Sequence, residues 1–286
     1  FTQHAVVLLA KRDGRVFFVV PWFGFSLVGT TDTDYEESPD HVAAQSDEIA
    51  YLVEETRRVF PGAAVERVLY TMAGVRALVR SRRSAALSES AVSRKHRLYD
   101  HAADGIPGLL SLFGGKITSY RAIAEETVDL VARQLGNTRP CRTAWEPLYG
   151  GGDHPDSLRP RIRAWAKRLG LSSDQADYLL SFYGTRAADV LALAEENPEL
   201  RQQVAPAYPD IRAQVQYAVE TEGARSTADV LLRRTGLAYA ADRGAQAVDP
   251  VSRDVGQLLG WNAAQQERDR AHALQQIEQI LGSPNP

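Results

Sequence analysis

The chain has 286 residues, of which 44% are hydrophobic and 24% are charged, and its formal net charge is -3 at pH 7. This composition is ordinary for a soluble protein with room for two domains, and the charge excludes a global basic field that attracts nucleic acid. The single cysteine, Cys141, excludes an internal disulfide and fits a reducing compartment. No apolar run approaches the ~20 residues of a membrane-spanning helix.

The start of the sequence lacks an initiator methionine, and Met72 is the single methionine of the chain. Residues 1–4 also lack the charged region and the cleavage pattern of a signal peptide. We therefore expect the sequence to begin inside a longer protein.

The first part of the chain, residues 1–136, is predicted to contain an antiparallel sheet. Alternating or continuous apolar runs predict strands, and Asp13-Gly14 is typical of a hairpin turn between two of them. A 3.6-residue apolar period, ended by Pro61, predicts a helix. The predicted elements are strands at 5–10, 15–22 and 25–31, a helix at 49–60 and a strand region at 65–79 that Gly74 interrupts.

The second part is predicted to be helical. Residues 137–155 are rich in proline and glycine and predict a linker, and residues 156–286 contain only helical patterns. The predicted helices lie at about 157–169, 173–183, 186–196, 210–222, 226–235, 249–259 and 262–281. The fold class is therefore α+β, a domain with an antiparallel sheet followed by an all-α C-terminal domain.

A junction between a strand and a helix is the most informative feature of the chain. An apolar strand at 109–113 is followed by residues 114–118, Gly-Gly-Lys-Ile-Thr, and by a helix predicted at 118–135. Glycines let the backbone approach a ligand, and a helix start directs N–H groups and a positive dipole end at one place. This junction is suited to an anion or the polar edge of a cofactor.

Two arginines are further candidates for ligand binding. Arg76 follows Gly74 at the end of an apolar stretch, although spacing alone favours a surface arginine there. The basic segment that follows can attract phosphate or carboxylate groups, but its first arginines, at 80, 82 and 83, fit a solvated loop better. Arg94 is the stronger candidate because it leads directly into the strand-like residues 97–99.

Several other patterns predict no site. Asp32 and Asp34 lack the glutamate that closes a calcium loop, and His96 and His101 lack the spacing of zinc ligands. No Gly-x-Gly-x-x-Gly occurs, so the sequence carries no dinucleotide-binding unit of its own. The glycines at 150–152 resemble a phosphate loop, but no Gly-Lys-Ser/Thr follows them.

Read in order, five motifs resemble the FAD-dependent glycerol-3-phosphate dehydrogenases. They are Val-Val-Pro-Trp at 19–22, Phe-Ser-Leu-Val-Gly-Thr-Thr-Asp at 25–32, Ala-Gly-Val-Arg at 73–76, Ser-Arg at 93–94 and Leu-Phe-Gly-Gly-Lys-Ile-Thr-Ser-Tyr-Arg at 112–121. The helical part is similar to that family's C-terminal domain at 151–152, 183–185 and 228–235. The resemblance covers essentially the whole chain and is specific because order and spacing both agree.

The resemblance implies that residues 1–136 are the C-terminal part of an FAD and substrate domain, whose Gly-x-Gly-x-x-Gly segment is not in this sequence. It implies oxidation of sn-glycerol 3-phosphate to dihydroxyacetone phosphate, with a hydride passed to flavin N5 and electrons passed on to a quinone. It also implies a cytoplasmic protein that can associate peripherally with the inner face of the cell membrane and can form a homodimer. No metal and no nucleic acid are expected.

The same resemblance assigns roles to residues. Arg76 would lie over the flavin and contact the substrate, Arg94 would bind its phosphate, and Lys116 would sit near the pyrimidine edge of the flavin. Arg76 and Lys116 are thus the catalytic residues. The implied cofactor-binding residues are Gly114, Gly115, Lys116, Ile117 and Thr118. Ala77 stands where the family usually has proline, which loosens the turn after Arg76.

Two other interpretations remain open at the level of sequence. The chain can be a non-catalytic fragment or subunit that needs a separate flavin-binding chain. It can also belong to a related amine-oxidising flavoenzyme, against which the basic segment and the helical tail argue. The sequence leaves open whether quinone or oxygen accepts the electrons.

Overall fold

The structure is a computed structural model that describes residues 2–63, 65, 67–76 and 95–282. The chain forms two compact units. The first unit comprises residues 1–33, 37–74 and 150–286, and the second comprises residues 34–36 and 75–149. The domain boundaries given above stay a prediction.

The first unit begins with an antiparallel sheet of three strands in the order β1-β2-β3. The strands are β1 (Val6–Leu9), β2 (Val16–Trp22) and β3 (Phe25–Gly29), which confirms the three strands expected from the sequence. Gly14 adopts a φ of 74° in the turn, and its N–H donates to the carbonyl of Ala10 at 2.9 Å. The hairpin therefore turns at the predicted place.

The two faces of this sheet differ in their surroundings. Phe17 and Val19 are fully buried and pack with Leu52 of helix α1 (Ser46–Val59). The opposite face carries exposed apolar side chains on β1 and β2, which are Val7, Leu9, Val16 and Phe18. A contiguous apolar surface of this kind is suited to being covered by further protein or by a ligand.

The strand region predicted at 65–79 is wrong for its described residues. The structure has no strand within residues 67–76. The Thr71 N–H instead donates to the carbonyl of Leu281, at the end of helix α9 (Ala263–Leu281), at 2.8 Å. Apolar residues here lie in an irregular segment, because the backbone bond of Thr71 goes to a helix end and forms no ladder.

The rest of the first unit is helical. Its helices are α3 (Pro155–Arg168), α4 (Ser173–Tyr183), α5 (Ala187–Glu196), α6 (Arg212–Glu220), α7 (Thr227–Asp229), α8 (Val248–Leu258) and α9 (Ala263–Leu281). A π-helical turn, Val230–Arg234, continues α7. The predicted α+β class, with a helical C-terminal part, is confirmed.

The tip of the β2–β3 hairpin packs on this helical part. The rings of Phe23 and Tyr239 stack with centroids 5.3 Å apart and planes at 7°. Gly236 lies beneath, and a Cβ built on it would stand 2.7 Å from the Phe23 ring. The close approach of ring to backbone therefore depends on glycine at this position.

A carboxyl group is buried between the helices. Asp210 is 1% exposed, and its side chain accepts a hydrogen bond from the Gln214 amide at 3.0 Å. Burial raises the pKa of Asp210 to about 6, against the opposing effect of hydrogen bonds from Tyr178 and Gln214. Both partners are neutral, so neither offsets the negative charge of the buried carboxylate, and the protonated form is favoured.

Replacing Asp210 by Asn should abolish a pH dependence of stability. A carboxyl whose pKa rises on folding stabilises the fold fully below its unfolded value of 3.8, and that contribution is lost as pH rises through about 6. The loss amounts to about 3 kcal/mol in the free energy of unfolding. Urea unfolding of both proteins from pH 4 to pH 7.5 measures this loss. The free energy of unfolding of the variant should exceed that of wild type by an amount that grows with pH.

Asp242 provides the matched control for this prediction. Burial opposes its ionisation, but hydrogen bonds from Tyr208, Gln246 and Gly244 outweigh burial and lower its pKa. Asp242→Asn should therefore give no difference that grows in favour of the variant, because wild type gains stability relative to this variant as pH rises toward the unfolded value of 3.8 and the difference changes little above it. A flat difference between wild type and Asp210→Asn over this range would contradict the prediction.

The second unit contains a two-stranded antiparallel sheet and one long helix. Strands β4 (Arg97–Asp100) and β5 (Leu110–Phe113) pair with Arg97 opposite Phe113. Helix α2 (Tyr120–Gln134) follows β5 after a short connection. In the described part of the chain, no helix has both the length and the apolar character needed to cross a membrane.

Candidate functional site

The predicted junction between strand and helix is present in the second unit. We call residues 114–118 the glycine loop. Strand β5 ends at Phe113, and Gly114 and Gly115 follow with φ angles of 67° and 99°. Both angles lie in the region that favours glycine. The two glycines therefore turn the chain from the strand toward the helix.

The helix begins in two steps. Residues Ile117–Ser119 form a 3-10 turn in which the Ser119 N–H donates to the carbonyl of Lys116 at 2.9 Å, and α2 continues from Tyr120. Neither Lys116 nor Ser119 caps the first N–H groups with its side chain. N–H groups at such a start can donate to an acceptor on a ligand.

Gly115 is held in a narrow space. A Cβ built on it would stand 2.8 Å from Ile123 Cδ1 and 3.2 Å from His96 Cβ. The ring of His96 reaches helix α2, where Nε2 and Glu126 Oε2 are 2.6 Å apart. This contact joins residues 30 positions apart, so no local pattern in the sequence indicates it.

The predicted site residues are placed as follows. Lys116 is exposed on the glycine loop, and Ile117 beside it is 85% exposed. Arg76 is exposed and belongs to the same compact unit. Arg94 lies outside the described residues, as do the arginines at 80, 82 and 83 and Ala77. The structure thus brings Arg76 and the glycine loop into one unit.

A second polar cluster lies at the far end of the β4–β5 pair. His101 contacts Asp104 through Nδ1 at 2.9 Å and Ser111 through Nε2 at 2.8 Å. Tyr99 donates to Asp104, and this hydrogen bond raises the pKa of the tyrosine hydroxyl. No group of metal-ligating side chains is found among the residues that the structure describes.

An open cleft of about 550 Å³ lies in the helical part, between the start of α4 and residues 201–209. Polar side chains line it, including Ser172 and Arg201. It contains none of the residues predicted to bind a ligand. We therefore place the candidate site at the glycine loop, where the loop geometry and the sequence motif coincide.

Comparison with known families gives two matches that together span most of the chain. Residues 2–121 match the family described as FAD dependent oxidoreductase. Residues 141–266 match the family described as the C-terminal domain of alpha-glycerophosphate oxidase. The first match contains Arg76, Arg94 and the glycine loop, and the second covers most of the helical part.

Curated relatives of the chain are glycerol-3-phosphate dehydrogenases. The chain is 39% identical to a glycerol-3-phosphate dehydrogenase of Synechocystis over 279 residues, which cover 96% of this chain and 50% of that protein. It is 31% identical to the mitochondrial glycerol-3-phosphate dehydrogenase of Mesocricetus auratus, covering 96% of this chain and 37% of the relative. The chain therefore spans about half the length, or less, of the curated relatives it matches.

A solved structure also matches. The glycerol-3-phosphate dehydrogenase of Bacillus halodurans, determined in complex with FAD, is 25% identical and superposes with a TM-score of 0.74. The match covers 98% of this chain and 54% of that one. The fold of nearly the whole chain thus has a counterpart in a solved structure.

Proposed function

The chain belongs to the family of FAD-dependent glycerol-3-phosphate dehydrogenases, and from this premise we propose that it forms the substrate-binding and part of the flavin-binding machinery of such an enzyme. The enzyme oxidises sn-glycerol 3-phosphate at C2 to dihydroxyacetone phosphate. The observation that carries the proposal is the glycine loop. Its motif, its backbone angles and its position at a helix start are all suited to binding the polar edge of a cofactor.

The glycine loop fits FAD on chemical grounds. Gly114 and Gly115 leave the backbone without side chains, the first N–H groups of the helix have no side-chain cap from Lys116 or Ser119, and Lys116 supplies a positive charge. Donors and a cation of this kind are suited to a group that gains negative charge. FAD, when bound, accepts the hydride from C2 of the substrate.

The arginines act on the substrate. Arg76 holds the C2 oxygen or the phosphate and stabilises negative charge that develops as the oxygen loses its proton. Arg94 holds the phosphate through paired N–H donors, which fixes the orientation of C2. The residue that takes the proton is not assigned to this chain.

A quinone is the proposed electron acceptor, reached by peripheral association with the inner face of the cell membrane, and the enzyme works as a homodimer in the cytoplasm. The match to the C-terminal domain of an oxidase family favours oxygen as the second candidate. The two acceptors leave different products, a quinol or hydrogen peroxide, so product analysis separates them.

The test is anaerobic reduction of the complete FAD-containing protein that carries this chain. Glycerol 3-phosphate should bleach the flavin absorbance, whereas glycine and sarcosine should leave it unchanged. Adding a quinone analogue should then restore the absorbance faster than adding oxygen does. Reduction by the amino acids alone would overturn the proposal in favour of an amine-oxidising flavoenzyme.

A second measurement addresses this chain by itself. We expect the 286-residue chain, expressed alone, to retain no FAD and to show no turnover. If that preparation bound FAD stoichiometrically and turned over unaided, then the additional segments found in the longer relatives would not be needed for activity. Both measurements use the same substrate and the same optical signal.

A further inference from the structure

Two side chains outside the glycine loop border the space beside one of its glycines. Gly115 has a φ of 99°, and the space a Cβ would occupy is bounded by Ile123 Cδ1 at 2.8 Å and His96 Cβ at 3.2 Å. His96 directly precedes strand β4, and Ile123 lies on helix α2. The loop is thus packed between the start of one strand and the first turns of the helix.

The strand and the helix are joined by a polar contact at the same place. Nε2 of His96 lies 2.6 Å from Oε2 of Glu126. An ionised carboxylate only accepts, so the imidazole N–H donates to it. Because β4 pairs with β5 with Arg97 opposite Phe113, His96 comes next to the point where β5 passes into the glycine loop.

We propose that His96 and Glu126 are positioning residues that fix the glycine loop against helix α2, and so set where Lys116 and the N–H groups of Ile117 and Thr118 meet the flavin. This inference rests on the proposed function. The imidazole of His96 acts by joining the residue that borders Gly115 to helix α2, and Glu126 acts by holding the imidazole on the helix. Neither residue is required to touch the flavin.

The exposure of the pair separates this role from a merely structural one. The side chain of His96 is 28% exposed and that of Glu126 is 59% exposed. A polar contact that is this open to solvent contributes little to the stability of a fold. Removing the contact should therefore leave thermal unfolding nearly unchanged, while a loop that is no longer fixed should bind its ligand less well.

The test uses the complete FAD-containing protein with His96→Ala and Glu126→Ala. The readouts are the FAD dissociation constant, from flavin fluorescence, and the midpoint potential of the bound flavin. We expect each variant to raise the dissociation constant by about fivefold. We also expect the two variants to shift the midpoint potential in the same direction as each other. The melting temperature should stay close to that of wild type.

Two variants of the same unit serve as matched controls. His101→Ala removes a histidine that also contacts a carboxylate, Asp104, and Glu125→Ala removes the neighbouring glutamate of α2, which contacts Arg121 at 2.7 Å. Neither of these contacts reaches the glycine loop. Both controls should keep the wild-type dissociation constant and potential.

Lys116→Ala separates failure of this inference from failure of the proposed function. If Lys116→Ala changes the potential while His96→Ala and Glu126→Ala do not, the positioning role is wrong and the flavin contact stands. If none of the three changes either readout, the glycine loop does not contact the flavin and both assignments fall. A change in both controls equal to that in His96→Ala would also overturn the positioning role.

Discussion

Replacing Arg76 by Ala should lower kcat/KM for glycerol 3-phosphate by about a thousandfold, the loss typical of removing a charge-stabilising donor from a reaction centre. The guanidinium offers planar, paired N–H donors that match an oxygen or a phosphate, and alanine offers none. The FAD content should fall far less than kcat/KM, because the proposed flavin contacts other than Arg76 lie on the glycine loop. Steady-state kinetics and the flavin absorbance measure the two quantities in one preparation.

Two further variants sharpen this prediction. Arg76→Lys keeps the charge but loses the fork of donors, so kcat/KM should fall to a value between those of wild type and Arg76→Ala. Arg142→Ala removes an arginine of the same unit that pairs with Glu146 at 2.8 Å and is 73% exposed. This variant should leave kcat/KM unchanged. Wild-type kinetics in Arg76→Ala would remove Arg76 from the reaction.

The elements that the sequence predicted correctly are determined by residues close to one another in the chain. Asp13-Gly14 favours a tight turn between two apolar runs, and the hairpin forms there. Two consecutive glycines after an apolar strand favour a change of direction, and a helix follows. Helix α1 begins at Ser46, earlier than predicted, because the Glu48 side chain accepts a hydrogen bond from the Gln45 N–H at 3.0 Å before the apolar period starts.

The features that sequence could not predict depend on distant partners. Residues 67–76 have apolar character, but the backbone bond of Thr71 goes to Leu281, more than two hundred residues away. The contact of His96 with Glu126 has no local signature either. The roles of Arg76, Arg94 and Lys116 come from a resemblance of motifs, and they stay predictions.

The glycines at 150–152 illustrate the same limit. Their composition predicts a linker, and Gly184 is predicted as the end of a helix. The structure brings the two segments together, since the Thr185 N–H donates to the carbonyl of Gly150 at 2.9 Å. A prediction from composition alone therefore describes Gly150 as a flexible position, whereas its backbone is packed against the end of α4.

The contact between Gly150 and Gly184 leads to the largest expected effect on stability. Gly184 has φ 55° and ψ -127°, and a Cβ built on it would stand 2.0 Å from the carbonyl oxygen of Gly150. Gly184→Ala should lower the free energy of unfolding by about 4 kcal/mol, the sum of backbone strain and overpacking. The neighbour is backbone, so it cannot move aside as a flexible side chain can. Urea unfolding measures the loss.

Gly170→Ala isolates the contribution of the contact. Gly170 also ends a helix with a positive φ, 82°, but a Cβ built there would meet nothing within 4 Å. Only the conformational cost should appear, about 1 kcal/mol. The difference between the two variants then reports the backbone contact together with any extra strain of the Gly184 backbone angles. Equal losses in both variants would show that the contact between residues 150 and 184 adds nothing to stability, as expected if residues 150–152 serve only as part of the linker that the composition predicts.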